Sequence, residues 1–98
     1  MTSRFGLPPD LTPYRRTPVF DEASMPAGLR RRHTTKAGVW GVIHVVEGRL
    51  RFRSLEPVEE MMLAAGTGIA VAPGQLLEVE PDGQVRFYVE FYRATARA

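Results

Sequence analysis

The stretch His33-Thr34-Thr35-Lys36-Ala37-Gly38-Val39-Trp40-Gly41 joins two very different segments. The basic run Arg30-Arg31-Arg32 precedes it. Residues 39–46 carry β-branched and aromatic side chains, with apolar residues on both faces. An apolar run of that kind predicts a buried central strand. Residues 29–36 read as the strand that precedes it. Histidine is the side chain best suited to bind a metal at neutral pH. His33 is therefore a candidate site residue.

Outward from this stretch, the chain reads as nearly all β. Glu47-Gly48 ends the central strand and begins a tight turn. Leu50-Arg51-Phe52-Arg53 alternates, so Leu50 and Phe52 are expected inward and the arginines outward. Residues 59–63 suggest another strand. Gly66-Thr67-Gly68 leads into Ile69-Ala70-Val71-Ala72, and Pro73-Gly74 leads into residues 75–80. Pro81-Asp82-Gly83-Gln84 carries a hairpin signal. Residues 85–92 alternate again, with Phe87, Val89 and Phe91 on one side and Arg86, Tyr88, Glu90 and Tyr92 on the other. Towards the N-terminus, Pro26-Ala27-Gly28 marks a turn and Val19-Phe20 a short strand. Residues 1–17 hold Pro8, Pro9 and Pro13 and show no period, so an extended arm is expected, packed on the rest of the chain or on a partner. Residues 94–98 read as a frayed tail. No segment shows a helical apolar period. Short strands separated by Gly/Pro turns predict a sandwich or barrel.

The 98 residues make a single domain, 1–98, with the barrel at 18–93. A chain of this length can bury a core without disulfides or a structural metal. Its 44% hydrophobic content suits a globular protein and argues against disorder. The absence of cysteine excludes thiolate metal sites, redox switching and cysteine nucleophiles. Phe5-Gly6-Leu7-Pro8-Pro9 is too short and too broken for a signal peptide, and no apolar run is long enough to span a membrane. A cytoplasmic location and no membrane partner are expected.

The net charge of +2 is modest, but it is concentrated in Arg30-Arg31-Arg32 and in Arg49, Arg51 and Arg53. The second group falls at alternate positions, as on the solvated face of an antiparallel strand. An anion-binding patch is the other reading. Neither helix-turn-helix nor RNA-binding signatures accompany the arginines, so no nucleic-acid partner is expected.

The chain resembles the small single-domain cupins of the TehB/YeaR-like family. The resemblance rests on Leu7-Pro8-Pro9, Tyr14-Arg15-Arg16-Thr17-Pro18-Val19-Phe20 and Pro26-Ala27-Gly28-Leu29. It continues through residues 33–41, Val46-Glu47-Gly48-Arg49-Leu50, Val79-Glu80-Pro81-Asp82 and Val89-Glu90-Phe91-Tyr92. That family includes stand-alone proteins and a domain fused to tellurite-resistance methyltransferases. It implies an all-β fold, a double-stranded β-helix or jelly-roll barrel. Methyltransferase activity is not expected to carry over to these residues.

The resemblance also frames the metal question. Cupin sites gather histidines and a carboxylate in the barrel mouth, a donor set that suits zinc, iron, nickel or copper. His33 fills the first ligand position. Thr35 stands where a second histidine would be, Trp40 falls near the carboxylate position, and Leu77 replaces the distant histidine. Leu77 shares a face with Val79 and is expected inward, whereas Glu78 and Glu80 are expected outward. A divalent metal therefore has one confident ligand, His33, which otherwise makes a structural hydrogen bond. Glu90 is a pocket residue or the cross-strand partner of an arginine. His44, on the face of Trp40, Val42 and Val46, reads as a hydrogen-bonded core or rim histidine. Trp40 suits a pocket wall, the core or an interface. Lys36 either pairs with Glu90 or binds an anion.

Other catalytic constellations are missing. Ser24 and Ser54 lack a nucleophile-elbow setting. Gly66-Thr67-Gly68 lacks the lysine of a phosphate loop. Asp21-Glu22 and Glu59-Glu60 read as solvated loop pairs. The functional expectation is a non-catalytic barrel that binds a small molecule or anion near His33, Thr35, Lys36, Trp40 and Glu90. The family resemblance places it in a stress response to tellurite-like oxyanions or reactive nitrogen. The alternatives are a metal-dependent oxygenase or isomerase and a dimerisation module that forms a homodimer through a sheet edge.

Overall fold

The structure, a computed structural model, describes residues 6–31, 34–55 and 58–95. Among the described residues six strands are present: β1 (Leu11–Arg16), β2 (Phe20–Asp21), β3 (Trp40–Leu55), β4 (Val58–Ala64), β5 (Gly68–Val71) and β6 (Leu77–Ala94). One short 3-10 helix covers Ala27–Arg30. All pairings are antiparallel. The sheet order is β1-β6-β3-β4, with β2 also on β6 and β5 also on β3. The order does not return to its first strand. The all-β expectation therefore holds, and the sheet is open.

Two long strands organise everything else. β3 pairs with β6 from Trp40↔Tyr92 to Ser54↔Leu77. On its other side β3 pairs with β5 through its first half and with β4 through its second. The expected turn at Glu47-Gly48 and the expected hairpin at Pro81-Asp82-Gly83-Gln84 are both absent as chain reversals. β3 and β6 run through these points, and the register shifts between Val45 and Glu47 and between Gly48 and Leu50. Glycine at positive φ and a Pro-Asp-Gly run serve a bulge as well as a hairpin. Gly48 has φ +75°, and a Cβ there would collide with the carbonyl oxygen of Gln84.

The bulge bends the sheet. A straight strand of 16 residues would be about 50 Å long. Yet Leu77, opposite the far end of β3, lines the same cavity as Ile43 near its start. The sheet thus folds over its own apolar face. Ile43 and Val45 join Leu50 and Phe52 in one core, with Leu63, Val71, Leu77, Val79, Val85 and Phe87 from the other strands. Leu50 and Phe52 face inward, as the alternation requires.

The arginines between them face outward and meet carboxylates. Arg49 lies 2.8 Å from Asp82, Arg53 3.5 Å from Glu78, and Arg51 3.5 Å from Glu60 and 4.0 Å from Glu80. Such exposed pairs contribute about 0–1 kcal/mol each. Their main effect is to neutralise this arginine row. Ser54, near the end of β3, is buried and accepts a 3.3 Å hydrogen bond from Gln75 Nε2.

Three N- and C-terminal expectations change. Residues 11–16 are a paired edge strand and not only an extended arm. Pro13 is tolerated there because an edge position needs no N–H on its outer side, and the register shifts between Pro13 and Arg15. Residues 27–30 form a 3-10 helix where a turn at 26–28 and the start of a strand at 29 are expected, entered from Pro26 and closed by the Arg31 N–H donating to Gly28 O (3.3 Å). Residues 34–36 belong to no strand. At the other end, β6 extends to Ala94. The Thr95 N–H donates to Asp10 O (2.9 Å), which ties that end of β6 to the start of β1.

Gly48→Ala should lower unfolding free energy in urea by about 3 kcal/mol, combining left-handed strain with a backbone clash. Gly66→Ala, which also has positive φ but open space around its Cβ position, should cost only about 1 kcal/mol. Equal losses at the two sites would show that the Gly48–Gln84 approach is unimportant.

Candidate functional site

The folded sheet separates the expected site residues onto two faces. The inner face carries a partly open cavity of about 240 Å³. Ile43, Val71, Leu77 and Val79 form one part of its wall, and Phe87, Val89 and Phe91 of β6 form another. Phe20 of β2 and Leu29 of the 3-10 helix also contribute, with the Phe20 and Phe87 ring centroids 5.8 Å apart. The remaining wall includes Gly41 and three threonines, Thr17, Thr34 and Thr35.

Two of those hydroxyls serve the backbone. Thr35 Oγ1 donates to Val39 O (2.7 Å). Thr17 Oγ1 accepts from the Val89 N–H (3.0 Å) and donates to Pro18 O (2.9 Å). Among the described residues no Asp, Glu, Lys, Arg or His lines the cavity. A chamber of this kind favours apolar surface, because it offers a charged group no compensating partner.

Beside it lies a second hollow of about 200 Å³ that shares Thr34, Thr35 and Phe91 with the first. Tyr14, Arg15, Lys36 and Val39 complete its wall. The Val39 N–H donates to Lys36 O (3.0 Å), and Gly38 takes φ +75° in that turn. The bond from Thr35 to Val39 O spans the same turn and fixes its conformation.

Of the expected ligand-binding residues, Thr35 and Lys36 thus lie at the two hollows. Trp40 and Glu90 do not line either of them. Trp40 pairs with Tyr92 across the β3–β6 ladder, and Val42 with Glu90. Directly opposite residues share a face, so both lie on the outer side, away from Phe91 and Val89. His33 lies outside the described residues. Leu77 is buried against the cavity as expected, and Glu78 and Glu80 face Arg53 and Arg51.

The outer face carries its own polar cluster. His44 stacks on Tyr88, with ring centroids 4.6 Å apart and planes at 18°. The Arg16 guanidinium sits 4.6 Å from the Tyr88 centroid. Glu90 links the stack: Oε2 lies 3.5 Å from Arg16, Oε1 lies 3.3 Å from His44 Nε2, and Oε1 accepts from Tyr92 O–H at 2.9 Å. Glu90 is therefore the cross-strand partner of an arginine, Arg16, and Lys36 is not among its described partners. The sequence pattern of alternation in β6 already separated Glu90 from Phe91. The partner Arg16 required the β1–β6 pairing.

A metal of the expected kind needs converging imidazole and carboxylate donors. Among the described residues no three His, Asp or Glu side chains converge. Leu77 and its apolar neighbours supply no donor inside the cavity. The described residues therefore do not fit a cupin metal. No described helix is long and apolar enough to cross a membrane.

Burial pushes the Tyr92 phenol from 10.0 up to about 12, helped by its hydrogen bond to Glu90 and by that carboxylate's charge. Below pH 10 the phenol is neutral in both folded and unfolded chains, and the native contact is fully present. As pH rises through 12 the native state is forced to ionise and this contribution is lost. An ultraviolet phenolate titration should show one tyrosine ionising near 12, absent in Tyr92→Phe and lowered partway in Glu90→Gln. All tyrosines ionising together near 10 would refute the Tyr92–Glu90 contact.

Comparison with known proteins agrees with this fold. A family model described as the TehB-like domain matches residues 15–89. A Haemophilus influenzae strain Rd protein, described as a probable S-adenosyl-L-methionine-dependent methyltransferase TehB, is 35% identical over 46 residues. That match covers 47% of this chain and 16% of the relative, so the chain spans a small part of the curated protein's length. The crystal structure of an Escherichia coli K12 protein superposes with TM-score 0.83 at 23% identity, covering 92% of this chain and 97% of that one. The crystal structure of Haemophilus influenzae TehB superposes with TM-score 0.80 at 26% identity, covering 88% of this chain and 32% of that one. With its family match spanning most of the sheet, the chain belongs to the TehB-like domain family.

Proposed function

We propose that this chain is a non-catalytic, cupin-like binding domain that takes a small molecule into the apolar cavity between β3 and β6. The observation that carries the reading is the cavity wall, apolar along β2, β3, β5 and β6, with no titratable side chain among its described residues. At about 240 Å³ it exceeds the roughly 150 Å³ of an apolar cavity able to hold benzene. A binding role suits this wall better than acid–base or metal chemistry, which needs polar groups aimed at the reacting atoms. The biological setting we assign is the tellurite-type or reactive-nitrogen stress response that the family resemblance implies, in the cytoplasm. In longer relatives such a domain would serve the attached methyltransferase as a ligand-sensing module.

Titration with toluene and hexanol, followed by backbone-amide NMR, tests the cavity. Saturable shifts are expected at Ile43, Val71, Leu77 and Phe87. Val89→Trp, which fills the cavity, should abolish them while the protein stays folded. Absent saturation, or equal response in the variant, would refute the reading.

A second role, association of two copies, is favoured by the sheet edge at β4. Among the described residues β4 pairs only with β3, and it exposes Val58, Met61 and Met62. An uncovered apolar edge strand is a template for pairing with another chain. Sedimentation velocity should show a dimer that Met62→Lys dissociates. A monomer at all concentrations would refute this role.

A further inference from the structure

The apolar cavity and the basic hollow beside it share a wall, and their chemistries differ sharply. Thr34, Thr35 and Phe91 line both. The inner cavity has no charged side chain among its described lining, and the outer hollow has Arg15 and Lys36 with no carboxylate in its described lining.

Strand pairing explains how Arg15 comes to the cavity side. Arg15 pairs with Phe91 and Arg16 with Glu90. Successive side chains on a strand point to opposite faces. Arg16 therefore joins Glu90 on the outer face, while Arg15 shares the cavity face with Phe91. Lys36 reaches the same hollow from the turn that Thr35 and Gly38 shape.

These two cations differ from most of the described strand arginines. Arg16, Arg49, Arg51, Arg53 and Arg86 each lie within 4.0 Å of a carboxylate. Among the described residues neither Arg15 nor Lys36 does. A third cation, Arg93, lies 4.8 Å from the ring centroid of Tyr14, which also lines the hollow. Positive charge is thus gathered, without a neutralising acid, at the rim of a chamber that accepts only apolar atoms.

We infer that the ligand is a small amphiphilic carboxylate, its aliphatic or aryl tail held in the apolar cavity and its anionic head held by Arg15 and Lys36. This rests on the cavity reading and adds the class of the ligand. Arginine suits the planar head through paired N–H donors, and lysine adds a point charge. Salt weakens such a contact, because both cations are exposed.

The test uses butanoate, hexanoate, octanoate, benzoate and phenylacetate, each with its matching primary amide, titrated into the protein by calorimetry and amide NMR. At least one carboxylate should bind about tenfold or more tightly than its amide, as expected for a charge-assisted hydrogen bond. In the Arg15→Gln/Lys36→Gln variant that preference should vanish while amide affinity is unchanged. Both side chains are exposed, so the substitutions remove no packing. Val89→Trp should abolish binding of both members of the pair. Equal affinity for acid and amide in the unaltered protein would overturn the anionic head and leave the cavity reading standing. A preference that survives in the double variant would overturn the assignment to Arg15 and Lys36. Failure of every acid and every amide to bind would overturn both inferences.

Discussion

The ladder between β3 and β6 is the constraint on which the rest of the structure depends. It joins Trp40 to Tyr92 at one end and Ser54 to Leu77 at the other. Two flat strands of this length would leave their apolar faces in water. The irregularity around Gly48 lets both strands bend together, so that the Ile43 and Val45 segment closes over the Leu50 and Phe52 segment. The core and the cavity are consequences of that bend. So is the need for glycine at position 48, where the Gln84 carbonyl leaves no room for a side chain.

Once the sheet is folded, alternation along each strand sorts side chains by chemistry. Phe87, Val89 and Phe91 reach the cavity, while Tyr88, Glu90 and Tyr92 lie on the other face with His44 and Arg16. The outer cluster is well supplied with partners: Glu90 accepts from Tyr92 and faces both Arg16 and His44. The cavity has the opposite character, since the hydroxyls of Thr17 and Thr35 bond to backbone at Val39, Val89 and Pro18. Its apolar wall and the basic hollow at its side fit a ligand with two unlike ends.

Much of this was legible in the sequence wherever the argument used a period of two. Leu50 and Phe52 inward, the arginines outward, and Leu77 inward all follow from alternation. Fold class followed from short apolar runs separated by Gly/Pro signals. Strand lengths did not, because Gly48 and Pro81-Asp82-Gly83 carry the same local chemistry in a bulge as in a turn. Leu29 and Arg30 end a 3-10 helix and do not begin a strand, because a short segment after Pro26 fits either element equally well. The site was only half legible. Thr35 and Lys36 lie at the hollows, but Trp40 and Glu90 were joined to them through the cupin pattern, against the alternation that separates Glu90 from Phe91. Arg15 was missed as a candidate because its face is set by pairing with Phe91, a contact between distant parts of the chain.

The most direct test of this account is a crystal structure determined under xenon pressure. Xenon has no polar contacts to make, so it occupies a cavity only where the wall is apolar and the space is accessible. The account requires a xenon site lined by Ile43, Leu77, Phe87 and Val89. Ordered water hydrogen-bonded within that space, or side chains closed over it with no xenon, would contradict the central claim that the folded sheet carries an apolar binding chamber.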